Sequence, residues 1–245
     1  MKVNGEDLSI FGKVKQWRVT KMERTLTSNT DWGRGSPLPM FGNIFASFKD
    51  LTITLMVYGS SRDDISNRIS NIEAKLINKI TIEFDDWSHK FTGIVTAMTR
   101  KEETDTSRHR FQTLELRVHG YEHGDLVAVS GNGVSSVTIN NPGNVISPAI
   151  IELTPTAGRN ELSVYGICFD GISGEELPIV VNNITAGNKV TLDGITGIFT
   201  EDKDGAVKLA DVEIWERPTL KPGANVITLE TNRMNTTVKV LPIYM

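Results

Sequence analysis

The chain has very little cysteine: Cys168 stands alone among 245 residues. A single thiol excludes an internal disulfide framework and leaves no cysteine cluster for zinc. Between Ile167 and Phe169 it reads as a small buried hydrophobe. Long apolar runs are also missing, and no window approaches the ~18 consecutive apolar residues needed to cross a bilayer. The first residues, MKVNGEDLSIFGK, carry early acidic groups and no apolar core of signal-peptide length. The expectation is a protein that accumulates in the cytoplasm of the cell that makes it. Basic excess is absent too. Lys and Arg number 26 against 30 Asp and Glu, for a net charge of -4 and a pI near 5.6. Overall charge therefore gives no support for a phosphate-backbone binder. Arg100, Lys101, Arg108 and Arg110 do fall close together, but Glu102, Glu103 and Asp105 sit among them, which reads as a mixed solvated turn.

What is present suits a soluble globular protein of one large or two ordinary domains, with 39% hydrophobic and 23% charged residues. One helix stands out. Ser60 and Ser61 offer a hydroxyl cap, Asp63 and Asp64 suit the positive helix end, and Ile65, Ile69, Ile72 and Leu76 recur at helical spacing. A helix this short does not persist alone in water, so its stripe must dock on a sheet. The strands for that sheet flank it: Leu51, Ile53, Leu55 and Val57 alternate with polar or half-polar neighbours, as do Ile80, Ile82 and Phe84. Phe91–Met98 and Phe111–Val118 form a further pair, joined by a turn over Arg100–Arg110.

Ahead of these strands lies Arg24–Phe48, which combines Gly33, Gly35, Gly42, Pro37 and Pro39 with Trp32, Met40, Phe41, Ile44, Phe45 and Phe48. Its periodicity fits neither a helix nor a strand. Two readings stand side by side: a long loop folded over its own domain, or an arm that buries its apolar groups on a neighbouring subunit. Around Gly131–Pro148 the composition turns to Asn, Gly, Ser and Pro, which places a domain boundary near residue 140. The remainder reads as β, with short apolar runs from Ala149–Leu153 to Val238–Leu241 at the spacing of an antiparallel sandwich. The expected organisation is thus mainly β with one helix, divided into residues 1–139 and 140–245.

Residues that could carry chemistry are few. His119 and His123 are four apart, a metal spacing only on a helix, and they fall at a strand end with no third ligand. His89 and His109 are isolated in charged turns and read as solvated. Glu201-Asp202-Lys203-Asp204-Gly205 has calcium-loop character, but Lys203 interrupts it and Val212 stands where the closing glutamate belongs. A hairpin with Asp-Gly at its tip accounts for the same residues. Asp85 and Asp86 are adjacent, point to opposite faces of a strand, and cannot form a glycosidase pair. There is no phosphate-cradling Gly-rich loop and no GxSxG elbow. No catalytic residue, metal ligand or cofactor is therefore assigned. Trp215, the one tryptophan of the second half, reads as a core or interface residue, with a sugar platform as the weaker option.

Asp193-Gly194-Ile195-Thr196-Gly197, Ala210–Trp215 and Leu220–Asn225, preceded by Asn141-Pro142-Gly143-Asn144 and Ser147–Glu152, occur in an order and joint spacing that resemble the distal tail proteins (Dit family) of flexible-tailed, siphovirus-type phages and prophages of Gram-positive hosts. The resemblance covers the whole chain, by pattern in the first half and by motif in the second. It implies a virion structural protein of the tail tip, built in the host cytoplasm, with no enzymatic activity. The implied architecture is an N-terminal ring-forming domain with an extended belt, matched by position to residues 24–48, and an outward-facing galectin-like sandwich. The implied partners are five further copies in a hexameric ring, single or stacked, the major tail tube protein, the tail-associated lysin or fibre protein, and receptor-binding baseplate proteins. The belt would place Trp32, Pro37, Pro39, Met40, Phe41, Ile44 and Phe45 at the subunit interface. DNA would pass through the ring without specific binding, and no membrane contact is implied. The alternative from the residues themselves is a carbohydrate-binding sandwich for cell-wall glycans. A hydrolase with an unrecognised site is the third reading.

Overall fold

The computed structural model describes residues 1–31, 40–102, 110–169, 176–202 and 206–245; for 16–18, 20–21, 24–31, 40–47, 102, 110 and 206 the description is of backbone alone. The chain divides into two compact units, Met1–Glu122 and His123–Met245. The expected boundary at 139/140 falls inside the second unit, where the Asn- and Gly-rich stretch supplies turns between strands. The described residues are mostly strand, with one α-helix, as the patterning implied.

The first unit contains β1 (Lys2–Val3), β2 (Glu6–Asp7), β3 (Val14–Asp31), β4 (Met40–Gly59), α1 (Arg62–Lys75), β5 (Ile80–Glu83), β6 (Lys90–Glu102) and β7 (Arg110–His123). Its strands run in the order β2-β1-β5-β6-β7-β4-β3. The alternation in β4 and β7 decides which face is covered. Leu51 pairs with Val118, Ile53 with Leu116 and Leu55 with Leu114, and all six are buried. Ile65, Ile69, Ile72 and Leu76 of the helix stripe join them in one cluster with Ile80, Ile82 and Phe91. Each such side chain contributes roughly 1.5–3 kcal/mol when fully buried.

The helix start is built as its sequence indicates. Ser61 is the N-cap, and its hydroxyl oxygen accepts from the Asp64 amide at 3.1 Å. The Asp64 carboxylate reaches back to the Ser60 amide at 2.8 Å and accepts from Arg68 Nε at 2.8 Å, one turn on. The Arg68 bond, then that of the Ser60 amide, hold the Asp64 carboxyl down to about 2 from its ordinary 3.8. A carboxyl depressed in the folded state stabilises the fold above its unfolded pKa and loses that contribution as the pH falls through its folded one. Asp64→Asn is therefore expected to lower the melting temperature at pH 7. The gap from wild type should close between about pH 4 and pH 2, as thermal melts across that range would show. A gap of constant size down to pH 2 would assign the effect to lost geometry and not to charge.

β6 and β7 approach unusually closely at one place. A Cβ on Gly93 would lie 2.4 Å from the His119 carbonyl oxygen, and one on Gly120 would lie 2.1 Å from the Thr92 carbonyl oxygen. Only glycine fits at both positions.

The second unit contains β8 (Val127–Asn132), β9 (Ser136–Asn141), β10 (Ser147–Pro155), β11 (Arg159–Tyr165), β12 (Ile179–Ile184), β13 (Val190–Asp193), β14 (Phe199–Glu201), β15 (Ala206–Val207), β16 (Val212–Glu213), β17 (Thr219–Leu220), β18 (Gly223–Leu229) and β19 (Met234–Val240). One sheet runs β15-β14-β13-β10-β19-β8, with β17 beside β10, and the other runs β16-β12-β11-β18-β9. Both bury their inward rows in a common core that includes Ile151, Leu153, Leu162, Val164, Val181, Leu192, Ile227 and Val238. Cys168 is part of it. Burial pushes its thiol pKa up, and the Sγ donates to the Glu216 carbonyl oxygen at 3.0 Å.

The run Val207–Ile214 is not the single returning strand that its alternation suggests. A short 3-10 turn at Leu209–Asp211 splits it, and the chain steps from the edge of one sheet (β15) to the edge of the other (β16). Lys208 fixes the step. It is buried, and its Nζ donates to the Asn183 carbonyl oxygen at 2.9 Å, to Glu201 at 2.9 Å and to Asp211 at 3.3 Å. Burial works against the ammonium, but the Glu201 and Asp211 carboxylates outweigh it and raise the Lys208 pKa. Of the calcium-like stretch, Lys203, Asp204 and Gly205 lie outside the described residues. Glu201 belongs to the antiparallel β14–β15 pair and is held by Lys208.

Candidate assembly surface

Arg24–Phe48 is where sequence and structure part most clearly. Its flanks are strands: β3 and β4 pair antiparallel from Val14 opposite Val57 out to Asp31 opposite Met40. The last partners of β4 on β7 are Lys49 opposite Gly120, so Leu26–Asp31 and Met40–Ala46 continue as a two-stranded ribbon beyond the sheet. The register shifts between Gln16 and Arg18, Val19 and Lys21, Arg24 and Leu26, and Ser28 and Thr30. Each shift breaks the period of two, which is why the stretch does not read as strand. Of the expected belt residues, Met40, Phe41, Ile44 and Phe45 lie on the β4 side of the ribbon, where only backbone is described. Trp32, Pro37 and Pro39 lie outside the described residues.

The root of the ribbon is clamped on both faces of the sheet. On the helix-covered face, buried Lys49 donates from Nζ to Glu122 Oε2 at 2.6 Å, and His89 Nδ1 lies 2.7 Å from Glu122 Oε1. Burial raises the Glu122 carboxyl, but the bonds from Lys49 and then His89 outweigh it and hold the pKa below its ordinary value. On the opposite face, Asp50 pairs in register with His119, whose Nδ1 is 2.9 Å from Asp50 Oδ1, and Arg117 donates to Asp50 at 3.0 Å. The His119 bond leads in lowering the Asp50 pKa. Phe48 sets its ring against His119 edge to face, with centroids 5.2 Å apart.

His89 was expected to be solvated. It is instead half-buried against Glu122, a contact between residues far apart in the chain that no local pattern announces. His119 and His123 lie on a strand, where four residues span about 13 Å; each has its own partner, Asp50 and the Gly124 carbonyl. His109 lies outside the described residues.

Beside the clamp, a cleft of about 340 Å³ is lined by Glu23, Asp50, Thr52, Thr99, Glu115 and Arg117, among others. Its carboxylates are engaged: Asp50 as described, and Glu115 with Lys101 at 3.5 Å. Arg100, from the basic stretch, pairs with Glu73 of the helix. Among the described residues no three His, Cys, Asp or Glu side chains converge on a metal-sized site. No described helix is long and apolar enough to cross a membrane. Trp215, expected in a core or an interface, is not in the core: it is 83% exposed.

No family model and no curated protein matches the chain. Solved structures do. SPP1 Dit (gp 19.1), described as a paradigm of the hub adsorption apparatus in phages infecting Gram-positive bacteria, superposes with a TM-score of 0.72 at 14% identity, covering 99% of this chain and 98% of that one. The phage P2 baseplate in its activated conformation with calcium gives a TM-score of 0.54 at 10% identity, covering 94% of this chain and 91% of that one. The same baseplate with strontium gives 0.52 at 11%, covering 94% and 90%. At such low identity the agreement is one of fold, and it extends over both units: this chain has the fold of SPP1 Dit from end to end.

Proposed function

We propose that the chain is a distal tail protein, a structural hub of the tail tip of a phage of Gram-positive bacteria. Six copies close into a ring through the first unit and the β3–β4 ribbon. The ring joins the tail tube to the tail-associated fibre or lysin and to receptor-binding proteins, and it leaves a channel for DNA. The observation that carries this reading is the end-to-end fold agreement with SPP1 Dit, with nearly all of both chains aligned. The ribbon supports it: two strands that leave their sheet as a pair suit a contact with the next copy. Such head-to-tail contacts close by rotation when each copy turns by the same angle. The excess of acidic residues is compatible with DNA passing through without sticking.

Negative-stain imaging of the purified chain, with mass measurement in solution, tests the proposal. Six-fold rings are expected from the chain alone or after addition of its tube or fibre partner. A monomer under both conditions would overturn it.

A further inference from the structure

The second unit has an open sheet edge. In the sheet β16-β12-β11-β18-β9, β9 lies at one end and pairs with β18 alone among the described residues. The Leu229 amide donates to the Ser135 carbonyl oxygen at 2.8 Å, which sets the phase of that ladder. Val137, Ile139 and Asn141 therefore turn their backbone groups toward β18, and Ser136, Thr138 and Asn140 turn theirs away. Those last three residues are exposed. Their N–H and C=O groups form a row that a further strand can pair with.

Proteins normally blunt such edges with charge, bulges or shortness, and the other edges of this chain follow that rule. β2 consists of Glu6 and Asp7, and β15 and β16 are two residues long. β3 carries Lys15, Lys21 and Glu23 and is broken by register shifts. β8 has Gly131 within it, which weakens it as a pairing strand. β9 has none of these devices. Its six residues, Ser-Val-Thr-Ile-Asn-Asn, include no charge and no proline, and they pair with β18 without a shift. They belong to a longer stretch, Val127–Ile151, without a charged residue in a chain that is 23% charged.

The core is also incompletely covered beside this edge. Val134 and Val137 pack against Gly131, where a Cβ would lie 2.5 and 3.2 Å from their methyl groups, so β8 and β9 stack on one another here. Val127, Val129 and Val134 are only partly buried against the core. A strand added beside β9 places alternate side chains inward, at the margin where these valines lie. Apolar, β-branched side chains suit that row. On the outward row the new neighbours are the small polar side chains of Ser136, Thr138 and Asn140. Neither row of β9 offers a charge for an incoming Lys or Glu to pair with.

We propose that the open edge of β9 binds an extended, uncharged strand of another protein, in which β-branched apolar residues alternate with small polar ones. Backbone pairing supplies the attachment, and the alternation supplies the selectivity. The site goes beyond the hub assignment and needs no ring.

Fluorescence anisotropy of a labelled Ser-Val-Thr-Ile-Asn-Asn peptide, titrated with the full-length chain, tests this. The peptide has the required alternation and is expected to bind. The same peptide with proline in place of threonine is not, because proline brings no N–H to the ladder. In the chain, Thr138→Pro removes an outward N–H and none that faces β18. It should stay folded, as circular dichroism would check, and weaken binding about tenfold or more. Thr138→Ala keeps the N–H and should bind within about twofold of wild type. Absence of peptide binding, equal binding by Thr138→Pro, or equal losses in both variants would overturn the proposal. Should Thr138→Pro fail to fold, amide hydrogen exchange of the wild-type chain decides. The peptide should slow exchange at Ser136, Thr138 and Asn140, and unchanged exchange there would overturn the proposal. A dimer of the chain that Thr138→Pro abolishes would overturn it too, by making the occupant a second copy.

Discussion

Removing Thr30–Phe41 is expected to abolish the proposed ring assembly while leaving a folded, monodisperse subunit. The geometry of the cut favours folding. Ser28 lies opposite Ile44, so joining Asn29 to Gly42 leaves Asn29-Gly42-Asn43 as a three-residue hairpin loop between strands already in register. Loops of that length containing Gly are common and inexpensive. The clamp at the ribbon root, Lys49–Glu122 on one face and Asp50–His119 on the other, lies outside the cut, as does the whole core beneath α1. Thermal melts should thus coincide to within a few degrees, while mass photometry or sedimentation moves from the proposed hexamer to monomer. The ring is the property at stake, so the readout is all or none. Intact rings from the deleted chain would remove the ribbon from the interface, while the fold assignment would stand.

A valine at position 120 should cost more stability than any substitution on the helix face. The Cβ itself collides with the Thr92 carbonyl oxygen at 2.1 Å, and Gly93 Cα lies 2.7 Å away. Both are backbone atoms, so no rotamer change relieves the clash. Either β6 or β7 must shift, and both lie in the middle of the sheet. A loss of more than about 3 kcal/mol is expected, beyond the usual range for surface substitutions. Urea denaturation followed by Trp87 fluorescence would report on this unit, because Trp87 packs against its core. An unchanged midpoint would mean that the two strands do not cross as closely as described.

Local signals made much of this fold legible. The helix start was written in Ser61 and Asp64, its buried stripe in Ile65, Ile69, Ile72 and Leu76, and the central strands in the alternation of Leu51–Val57 and Leu114–Val118. Two kinds of feature were not legible, for different reasons. The β3–β4 ribbon lost its period to repeated register shifts, so apolar and polar residues no longer alternate along either strand. The run Val207–Ile214 has apolar residues at 207 and 209 and then at 212 and 214, and that slip of phase falls at the 3-10 turn Leu209–Asp211, where the chain changes sheets. The candidate sites divide the same way. Long-range partners such as Glu122 for His89, or β12 for Glu213, come from topology. Trp215 was visible as an aromatic with no helical or metal context, but its exposure depends on where β16 ends.

One consequence of the long β4 strand concerns force. The strand that forms one side of the ribbon continues without a break into the middle of the sheet, where β3 flanks it on one side and β7 pairs with it from Lys49 to Gly59. Tension on the ribbon along that direction would reach the sheet as shear, loading those backbone bonds together. A pull at right angles would open them one after another. A pull would therefore be resisted strongly along one axis and weakly across it, so the ribbon is stiff in the direction its strands run.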